Sequence, residues 1–235
     1  EGKELSYFIL LDDKSYQTFS SAQDYKRIGE GDTGPNTGGM GTVSPAPILN
    51  ESLEKKIIDN IVNKSIRGIQ EELLEFKGVL FLGIMVDKIT GEPKLLEYNT
   101  RFGDPEIQSI SMRLKSDFLS AAHSVATNNL AYSEIKFSDI KKSICLILAT
   151  KGYPDDYPKD TIINNLEEFD KEEDLFIFHA ATYYDKGLVK TNGGRVLSIV
   201  ASGDNYINCR NKVYEVAEKI NWKEKYYRPD IGLFL

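Results

Sequence analysis

The chain has 235 residues, of which 41% are hydrophobic and 28% charged, and its formal net charge is −7. This length allows one large domain or two modest ones, and the composition excludes a disordered protein. The acidic charge argues against a sequence-independent nucleic-acid binder, which needs a basic surface to displace phosphate counterions. The longest apolar run, Val79–Val86, is too short to span a membrane. We therefore expect a soluble globular protein with neither nucleic acid nor a membrane as a partner.

The two cysteines, Cys145 and Cys209, both lie among apolar residues. The sequence contains no Cys/His spacing typical of a zinc site. Buried, reduced thiols are therefore the expected state. That state suits a cytoplasmic protein.

Two strands, Leu5–Leu11 and Tyr16–Phe19, are predicted at the start of the chain, joined by a polar turn. The chain has no initiator Met and begins close to a strand, so we expect a further segment before its first residue. A long loop is predicted from Ala22 to Pro47. Loops of that length in compact domains are usually functional.

An amphipathic helix is predicted from Glu51 to Leu74, because its apolar residues recur mostly at every fourth position. These residues are Leu53, Ile57, Ile61, Ile69 and Leu73, with Ile58, Val62 and Ile66 widening the stripe. The run Val79–Val86 is apolar without alternation, which predicts a strand covered on both faces. A turn at Thr90–Gly91 then leads into a further strand, Lys94–Asn99.

Two more helices are predicted, one capped by Asp104 with Pro105 in its first turn, the other running from Ser116–Asp117 to about Asn128. A second set of elements follows: the strands Ser143–Thr150, Leu175–Tyr183 and Arg195–Ser202, and a helix from about Asp204 to Ile220. We therefore predict an α+β fold with largely antiparallel sheets. The predicted division is a domain of residues 1–135 and a smaller α+β domain of residues 136–235.

A carboxylate and an amide are spaced as alternate residues in the strand that ends near Asn99. Alternate residues share a face, so Glu97 and Asn99 project to one side, with Arg101 if strand geometry continues that far. Their oxygens suit a hard cation such as Mg²⁺, and Arg101 could neutralise a phosphoryl group. The alternative is a solvated face with an ion pair, and spacing alone favours that alternative.

Six glycines lie between Gly29 and Gly41. Because glycine has no Cβ, the N–H groups of such a segment can turn toward one anion. Asp24, Lys26 and Arg27 lie just upstream and could supply charge. The segment lacks the Gly-Lys-Ser/Thr ending of a P-loop, which excludes that motif. A flexible surface loop remains the alternative.

Seven stretches carry a resemblance to a known family, in order along the chain. They are Ala22–Arg27, Gly31–Gly41, Ser44–Pro47, Leu96–Glu106, Lys151–Pro154, Thr191–Val196 and Tyr227–Gly232. Together they resemble the glycinamide ribonucleotide synthetases, which are ATP-grasp ligases. The resemblance implies the C-terminal part of an ATP-grasp core followed by a smaller domain. It also implies ATP and Mg²⁺ or Mn²⁺ as cofactors, and glycine and 5-phosphoribosylamine as substrates.

In that family ATP phosphorylates the carboxylate of glycine, and the amine of 5-phosphoribosylamine then displaces phosphate to give glycinamide ribonucleotide. The resemblance implies that Glu97 and Asn99 are metal ligands. It further implies that Arg101 is catalytic and faces the transferred phosphoryl group, and that Glu4 contacts the nucleotide ribose. The residues implied to bind substrate are Asp24, Lys26, Arg27, Gly38, Gly39, Gly41 and Asp104.

Two features depart from the family pattern. The strand before the Glu97–Asn99 pair is apolar until Asp87, so it supplies no evident third acidic ligand. The family also has an N-terminal substrate domain and an ATP lid before the point where this chain starts. We therefore expect the N-terminal half of the same enzyme as a missing partner, and an isolated chain that is inactive. The alternatives are another ATP-grasp ligase of nucleotide biosynthesis and a non-catalytic nucleotide-binding module.

Overall fold

The computed structural model describes residues 2–169, 174–233 and 235. Within these residues the strands are β1 (Gly2–Leu11), β2 (Tyr16–Asp24), β3 (Arg27–Gly29), β4 (Thr33–Asn36), β5 (Gly41–Ser44), β6 (Gly78–Asp87), β7 (Pro93–Asn99), β8 (Lys142–Thr150), β9 (Leu175–His179), β10 (Thr182–Asp185), β11 (Leu188–Thr191), β12 (Arg195–Gly203) and β13 (Lys225–Tyr226). The helices are α1 (Glu51–Ile57), α2 (Asn63–Glu71), α3 (Glu106–Ser111), α4 (Phe118–Ala126) and α5 (Tyr206–Lys219). A π-helical segment, Ile58–Val62, joins α1 to α2, and Leu130–Tyr132 and Glu167–Phe169 are short 3₁₀ turns.

The chain folds into two compact units. The first contains the described residues up to Gln23, Pro45–Gly103 and Leu114–Asp139, and the second contains Asp24–Ser44, Asp104–Arg113 and the described residues from Ile140 onward. This grouping differs from the contiguous domains predicted as residues 1–135 and 136–235. Two early segments join the second unit because β5 hydrogen-bonds to β8 and α3 packs on β5, β8 and β12.

The first unit is built on antiparallel strands in the order β7-β6-β1-β2. The helical segment α1–α2 covers one face of these strands and forms the core there. That core contains Leu5, Tyr7, Ile9, Leu80, Leu82 and Ile84 from the strands and Leu53, Ile57, Ile61 and Val62 from the helix. Alternation along β1 and β6 puts Glu4, Ser6 and Gly83 on the opposite face, beside the buried rings of Phe8 and Phe81.

The predicted helix of residues 51–74 begins as expected and ends early. Asn50 caps it by accepting a hydrogen bond from the Leu53 N–H at 2.9 Å. The π-helical turn widens one turn of the helix, so Ile61 and Val62 are both buried. The prediction was wrong at the C-terminus, where the helix ends at Glu71. Leu73 adopts a left-handed conformation (φ 53°) that stops the helix, and it is 87% exposed.

The predicted long loop from Ala22 to Pro47 is largely structured, which corrects that prediction. Strand β2 continues to Asp24, β3 and β4 form a hairpin, and β5 follows. Every residue of β4 is exposed and no residue of β3 is buried. The hairpin therefore lacks the apolar alternation by which a strand is found in a sequence.

The second unit is built on antiparallel strands in the order β5-β8-β12-β9, with β13 also pairing with β8. Helix α5 packs on one face of these strands and forms a core with them. This core includes Ile144, Leu146, Leu148, Leu197 and Ile199 from the strands, Val213 and Val216 from α5, and Trp222. On the other face Met112, at the end of α3, packs on Cys145, Ile147 and Val200. Trp222 is the only tryptophan of the chain and is 3% exposed, so its fluorescence reports on this unit.

The segment predicted as one strand, Leu175–Tyr183, forms two. The N–H groups of Ala180 and Ala181 donate to the carbonyl oxygens of Val196 and Arg195, which takes the chain off the line of β9. It then continues as β10, which pairs with β11 instead. The prediction of a single strand was therefore wrong.

The two cysteines are buried free thiols, as the sequence predicts. Burial raises the pKa of the Cys145 thiol, and it raises the pKa of Cys209 to about 11. Both thiols are therefore protonated at neutral pH. None of the helices in the described parts of the chain has the length and apolar character that crossing a membrane requires.

Candidate functional site

Three predicted site residues share one face of the first unit's strands, opposite the helix. Residues directly opposite each other in antiparallel strands point to the same side. Glu97 lies opposite Gly83, and Gly83 lies opposite Ser6. Glu4 is an alternate residue to Ser6 on β1, and Asn99 is an alternate residue to Glu97 on β7. Glu4, Glu97 and Asn99 therefore project from the same face.

Gly83 makes room for Glu97. A Cβ at position 83 would lie 3.0 Å from the Cγ of Glu97, so a side chain there would displace the glutamate. The Nδ2 of Asn99 donates to the Oε1 of Glu97 at 3.2 Å. This bond orients the pair and leaves the Asn99 carbonyl oxygen and the second carboxylate oxygen as potential ligands.

The oxygens of Glu97 and Asn99 fit a hard cation that keeps phosphate or water partners. Asp87 serves a turn instead, since its Oδ1 accepts hydrogen bonds from the N–H groups of Thr90 (2.8 Å) and Ile89 (2.9 Å). These two bonds lower the pKa of Asp87. The described residues contain no group of three or more His, Cys, Asp or Glu side chains that could hold a metal. The pair would therefore need substrate or water oxygens to complete a coordination shell.

Arg101 lies beyond the end of β7, at Asn99, so strand alternation does not extend to it. Its Nη1 donates to the carbonyl oxygen of Phe102 at 2.9 Å. The ring of Phe102 packs against Phe19 and Phe8, with centroids 5.1 and 6.0 Å away. Phe102 thus anchors this segment, and the exposed Arg101 contacts its backbone.

In the second unit, Arg195 at the start of β12 holds the glycine-rich segment. Its Nη1 donates to the carbonyl oxygens of Gly38 (2.8 Å) and Asp104 (2.7 Å). Its Nη2 also lies 3.3 Å from the Oδ2 of Asp104. Arg195 therefore ties Asp104 to the glycine segment.

Asp104 is not the helix cap that the sequence predicts. Helix α3 begins at Glu106 with Pro105 at the cap position, and no described side chain caps it. The Oδ1 of Asp104 accepts from the Nε2 of Gln108 at 3.0 Å. The prediction was wrong because the Asp104 carboxylate is shared between Gln108 and Arg195.

Gly39 and Gly41 are required by close packing. Gly39 has φ 111°, and a Cβ there would lie 2.6 Å from the Cδ of Pro105 and 2.8 Å from the Oδ1 of Asp24. At Gly41 a Cβ would lie 2.7 Å from the carbonyl oxygen of Cys145. Side chains at either position would force the backbone apart.

Two of these glycines use their N–H groups within the second unit. The Gly38 N–H donates to the hydroxyl of Tyr153 at 3.0 Å, and the Gly39 N–H donates to the Oγ1 of Thr37 at 3.0 Å. These donors already have protein partners. In this structure the N–H groups of Gly38 and Gly39 therefore bind protein oxygens, and the anion cradle expected from composition stays a prediction.

Lys26 and Arg27 lie where the chain enters the β3–β4 hairpin. The N–H and the Oγ1 of Thr37 both donate to the Lys26 carbonyl oxygen, each at 2.8 Å. The Nη1 of Arg27 donates to the carbonyl oxygen of Gly34 at 2.8 Å. The exposed guanidinium of Arg27 is thereby fixed on the surface of the hairpin.

Replacing Gly39 with alanine is expected to destabilise the second unit by about 2 kcal/mol or more, because it combines a positive φ with an overlap against Pro105. Urea unfolding followed by Trp222 fluorescence measures the change. Gly31→Ala is the control: its φ is 64°, no described atom lies within 4 Å of the added Cβ, and the left-handed conformation costs about 1–2 kcal/mol. Gly39→Ala unfolding more easily than Gly31→Ala supports the packing role, and the reverse order contradicts it.

Three residues of these clusters, Gly83, Tyr153 and Arg195, are missing from the predicted site. Tyr153 and Arg195 lie in the stretches Lys151–Pro154 and Thr191–Val196, so the resemblance was the available signal. Their distance along the chain gives none, since Arg195 and Gly38 are 157 residues apart.

Comparison with known proteins assigns the chain to a family. Residues 1–107 match the model of the "Phosphoribosylglycinamide synthetase, ATP-grasp (A) domain", and residues 143–233 match that of the "Phosphoribosylglycinamide synthetase, C domain". Phosphoribosylamine–glycine ligase of Vigna unguiculata is 42% identical over 224 residues, which cover 94% of this chain and 72% of that protein. The chloroplastic phosphoribosylamine–glycine ligase of Arabidopsis thaliana is 42% identical over 234 residues, covering 99% of this chain and 44% of that protein. The chain spans about half the length of most of these relatives.

Solved structures agree. Phosphoribosylamine–glycine ligase from Thermotoga maritima matches with a TM-score of 0.82 and 32% identity, covering 98% of this chain and 56% of that one. The biotin carboxylase domain of a Hydrogenobacter thermophilus carboxylase, at a TM-score of 0.66 and 14% identity, covers 95% of this chain and 46% of that one and shares the fold alone. The predicted α+β, largely antiparallel ATP-grasp architecture is confirmed. The chain belongs to the phosphoribosylglycinamide synthetase family, whose curated members are named phosphoribosylamine–glycine ligases.

Proposed function

We propose that this chain supplies parts of the active site of an ATP-dependent ligase that joins glycine to 5-phosphoribosylamine. These parts are the metal-binding strand β7 and the substrate-binding segment of residues 24–41, called the loop of the second unit below. The glycine carboxylate attacks the γ-phosphorus of ATP, which forms glycyl phosphate and releases ADP. The amine then attacks the acyl carbon and phosphate leaves, giving glycinamide ribonucleotide. The family match supports this reaction. The observation that carries it is the hydrogen-bonded Glu97–Asn99 pair on the strand face of the first unit opposite the helix.

Glu97 and Asn99 are the residues that would hold Mg²⁺ or Mn²⁺. The cation would neutralise phosphate oxygens of ATP. The bond from Asn99 keeps the Glu97 carboxylate pointing along the strand face, and Gly83 opposite keeps that space clear. Glu4, on the same face, would accept hydrogen bonds from the nucleotide ribose.

Arg101 would stabilise the transferred phosphoryl group. A guanidinium carries five N–H donors, so the bond to the Phe102 carbonyl oxygen does not exhaust it. A fixed positive charge near developing phosphoryl charge lowers the barrier to transfer.

The loop of the second unit would bind the substrates. Lys26 and Arg27 bring cationic groups suited to the phosphate of 5-phosphoribosylamine. Asp24 and Asp104 bring carboxylates that could accept hydrogen bonds from an amine. The glycines of this loop, Gly38, Gly39 and Gly41, would let its backbone follow the substrate closely. The two buried free thiols suit a reducing compartment, and the proposal places the enzyme in the cytoplasm.

The isolated 235-residue chain is expected to release no ADP when ATP, glycine and 5-phosphoribosylamine are supplied. It spans about half the length of most of the relatives that it matches, and the resemblance implies an ATP lid and adenine-binding strands that this span does not include. Ligation needs all three substrates positioned together. A coupled ADP-release assay measures the rate.

The matched sample is a longer protein in which the corresponding N-terminal part of the Thermotoga maritima relative precedes this chain. Glycine-dependent ADP release by that protein supports the proposed function, and its absence contradicts it. Release by the 235-residue chain alone, at a comparable rate, would show that the chain already contains a complete catalytic site.

A further inference from the structure

Arg228 is buried in the second unit and lies outside the proposed substrate-contacting residues. Its Nε and Nη2 donate to the two carboxylate oxygens of Asp230, at 2.8 and 2.6 Å. Its Nη1 donates to the Oδ1 of Asp32 at 2.8 Å and to the carbonyl oxygen of Arg27 at 2.9 Å. The planar guanidinium thus binds its partners in fixed directions.

The hairpin formed by β3 and β4 receives two of these contacts, at Asp32 and at the Arg27 carbonyl oxygen. Its strands are joined through a shifted register, with Arg27 opposite Asn36 and Gly29 opposite Thr33, and its residues are exposed or half-buried. A two-stranded hairpin without a core is marginal on its own. Besides the contacts of Arg228, the hydroxyl of Tyr226 donates to the Ile28 carbonyl oxygen at 2.7 Å.

The Asp230 carboxylate is kept ionised by hydrogen bonds from Arg228 and from the hairpin backbone. Burial alone would raise the pKa of Asp230, but the bonds from Arg228 and from the Gly31 N–H (2.9 Å) lower it. Asp230 is therefore ionised at neutral pH and balances Arg228. Asp32 then adds a second carboxylate to an arginine that is already paired.

The contact with Asp32 serves orientation more than stability. The Asp32 side chain is 66% exposed, and ion pairs at such positions contribute little to the free energy of unfolding. A buried ion pair is moreover often no more stabilising than apolar side chains of the same volume. What the forked guanidinium adds is a fixed direction between the segment around residue 228 and the hairpin.

We propose that the Arg228–Asp32 contact positions the β3–β4 hairpin so that Lys26 and Arg27 meet the anionic, phosphate-bearing substrate. This rests on the proposed function of the loop. Arg228 and Asp32 are positioning residues that act through the hairpin backbone. Loosening their contact weakens the binding of that one substrate and leaves the core of the second unit intact.

The first test uses the 235-residue chain and the variants Asp32→Gly and Asp32→Asn. Asp32 has φ 56°, which glycine and asparagine both accept. Asp32→Gly removes the acceptor and is expected to speed amide hydrogen exchange in residues 29–34 roughly tenfold. Asp32→Asn keeps an acceptor oxygen and is expected to change it less. Unfolding followed by Trp222 fluorescence should stay unchanged in both.

Glu30→Gln is the matched control, since it removes the same charge two residues earlier in the same hairpin. It is expected to leave hydrogen exchange unchanged. Amide exchange in Asp32→Gly at the rate of the unmodified chain overturns the proposal. So does a loss of unfolding free energy, measured through Trp222, that is as large as the loss of protection free energy calculated from the exchange rates.

The second test measures steady-state kinetics in the longer protein described under Proposed function, which is called the longer ligase from here on. Asp32→Gly is expected to raise KM for 5-phosphoribosylamine roughly tenfold while kcat and KM for ATP change by less than about twofold, and Asp32→Asn to recover part of the loss. A merely structural role would lower the amount of active enzyme without this selective change. Loosened exchange with an unaltered KM overturns the positioning role, whereas inactivity of the unmodified longer protein overturns the proposed function.

Discussion

Replacing Glu97 with glutamine in the longer ligase is expected to reduce kcat by about 100-fold or more. The amide keeps the size of the side chain and an oxygen that can still accept from Asn99. It removes the negative charge that would hold the cation against the phosphates of ATP. Because Glu97 is exposed, folding should change by less than about 0.5 kcal/mol. The measurement is kcat as a function of Mg²⁺ concentration, beside an unfolding curve.

Glu92→Gln is the control, because Glu92 lies in the turn between β6 and β7, the strand that carries Glu97. Its carboxylate pairs with Lys56 at 2.5 Å and is 49% exposed, and such a pair contributes about 1 kcal/mol at most. Turnover of this variant should be normal. Near-normal turnover of Glu97→Gln at limiting Mg²⁺ would contradict the assignment of Glu97 as a metal ligand.

Replacing Arg228 with alanine is expected to destabilise the second unit by about 3–5 kcal/mol. The variant leaves the Asp230 carboxylate buried, at 6% exposure, without the cation that balances it. It also removes the hydrogen bonds to Asp32 and to the Arg27 carbonyl oxygen. Urea unfolding monitored through Trp222 reports on this unit directly.

Two further variants test whether the loss of stability comes from an unbalanced buried charge. Arg67→Ala, at an exposed position of α2 in the first unit, removes an arginine charge and should leave the Trp222 transition unchanged. The double variant Arg228→Met/Asp230→Leu should recover much of the lost stability, because no uncompensated charge stays buried. If Arg228→Ala costs less than about 1 kcal/mol, the pair does not act as a buried ion pair.

The parts of the fold that the sequence predicts are those with strong apolar patterns. Strands β1, β6, β8 and β12 were found within three residues of their ends because apolar runs mark them. The hairpins β3–β4 and β10–β11 were not found. Their residues are mostly exposed or half-buried, so burial imposed no period on the sequence.

The candidate site follows the same division between local and distant signals. Strand alternation predicted that Glu97 and Asn99 share a face, because both lie inside β7. It does not extend to Arg101, which lies past the end of that strand. The contacts of Arg228 with Asp32 join residues 196 positions apart. No local pattern encodes a contact of that separation, so it becomes visible only in the folded chain.

The interleaved order of the two units limits where this protein can be recombined with a relative. The segments Asp24–Ser44 and Asp104–Arg113 lie between parts of the first unit in the sequence, but they belong to the second. A single crossover near residue 135 would therefore place β5 and α3 of one parent against β8 and β12 of the other. Gly41 and Cys145 would then come from different parents. Their contact is close, since a Cβ at position 41 would lie 2.7 Å from the Cys145 carbonyl oxygen. Exchanges that keep each unit intact must transfer these two segments together with the residues from Ile140 onward.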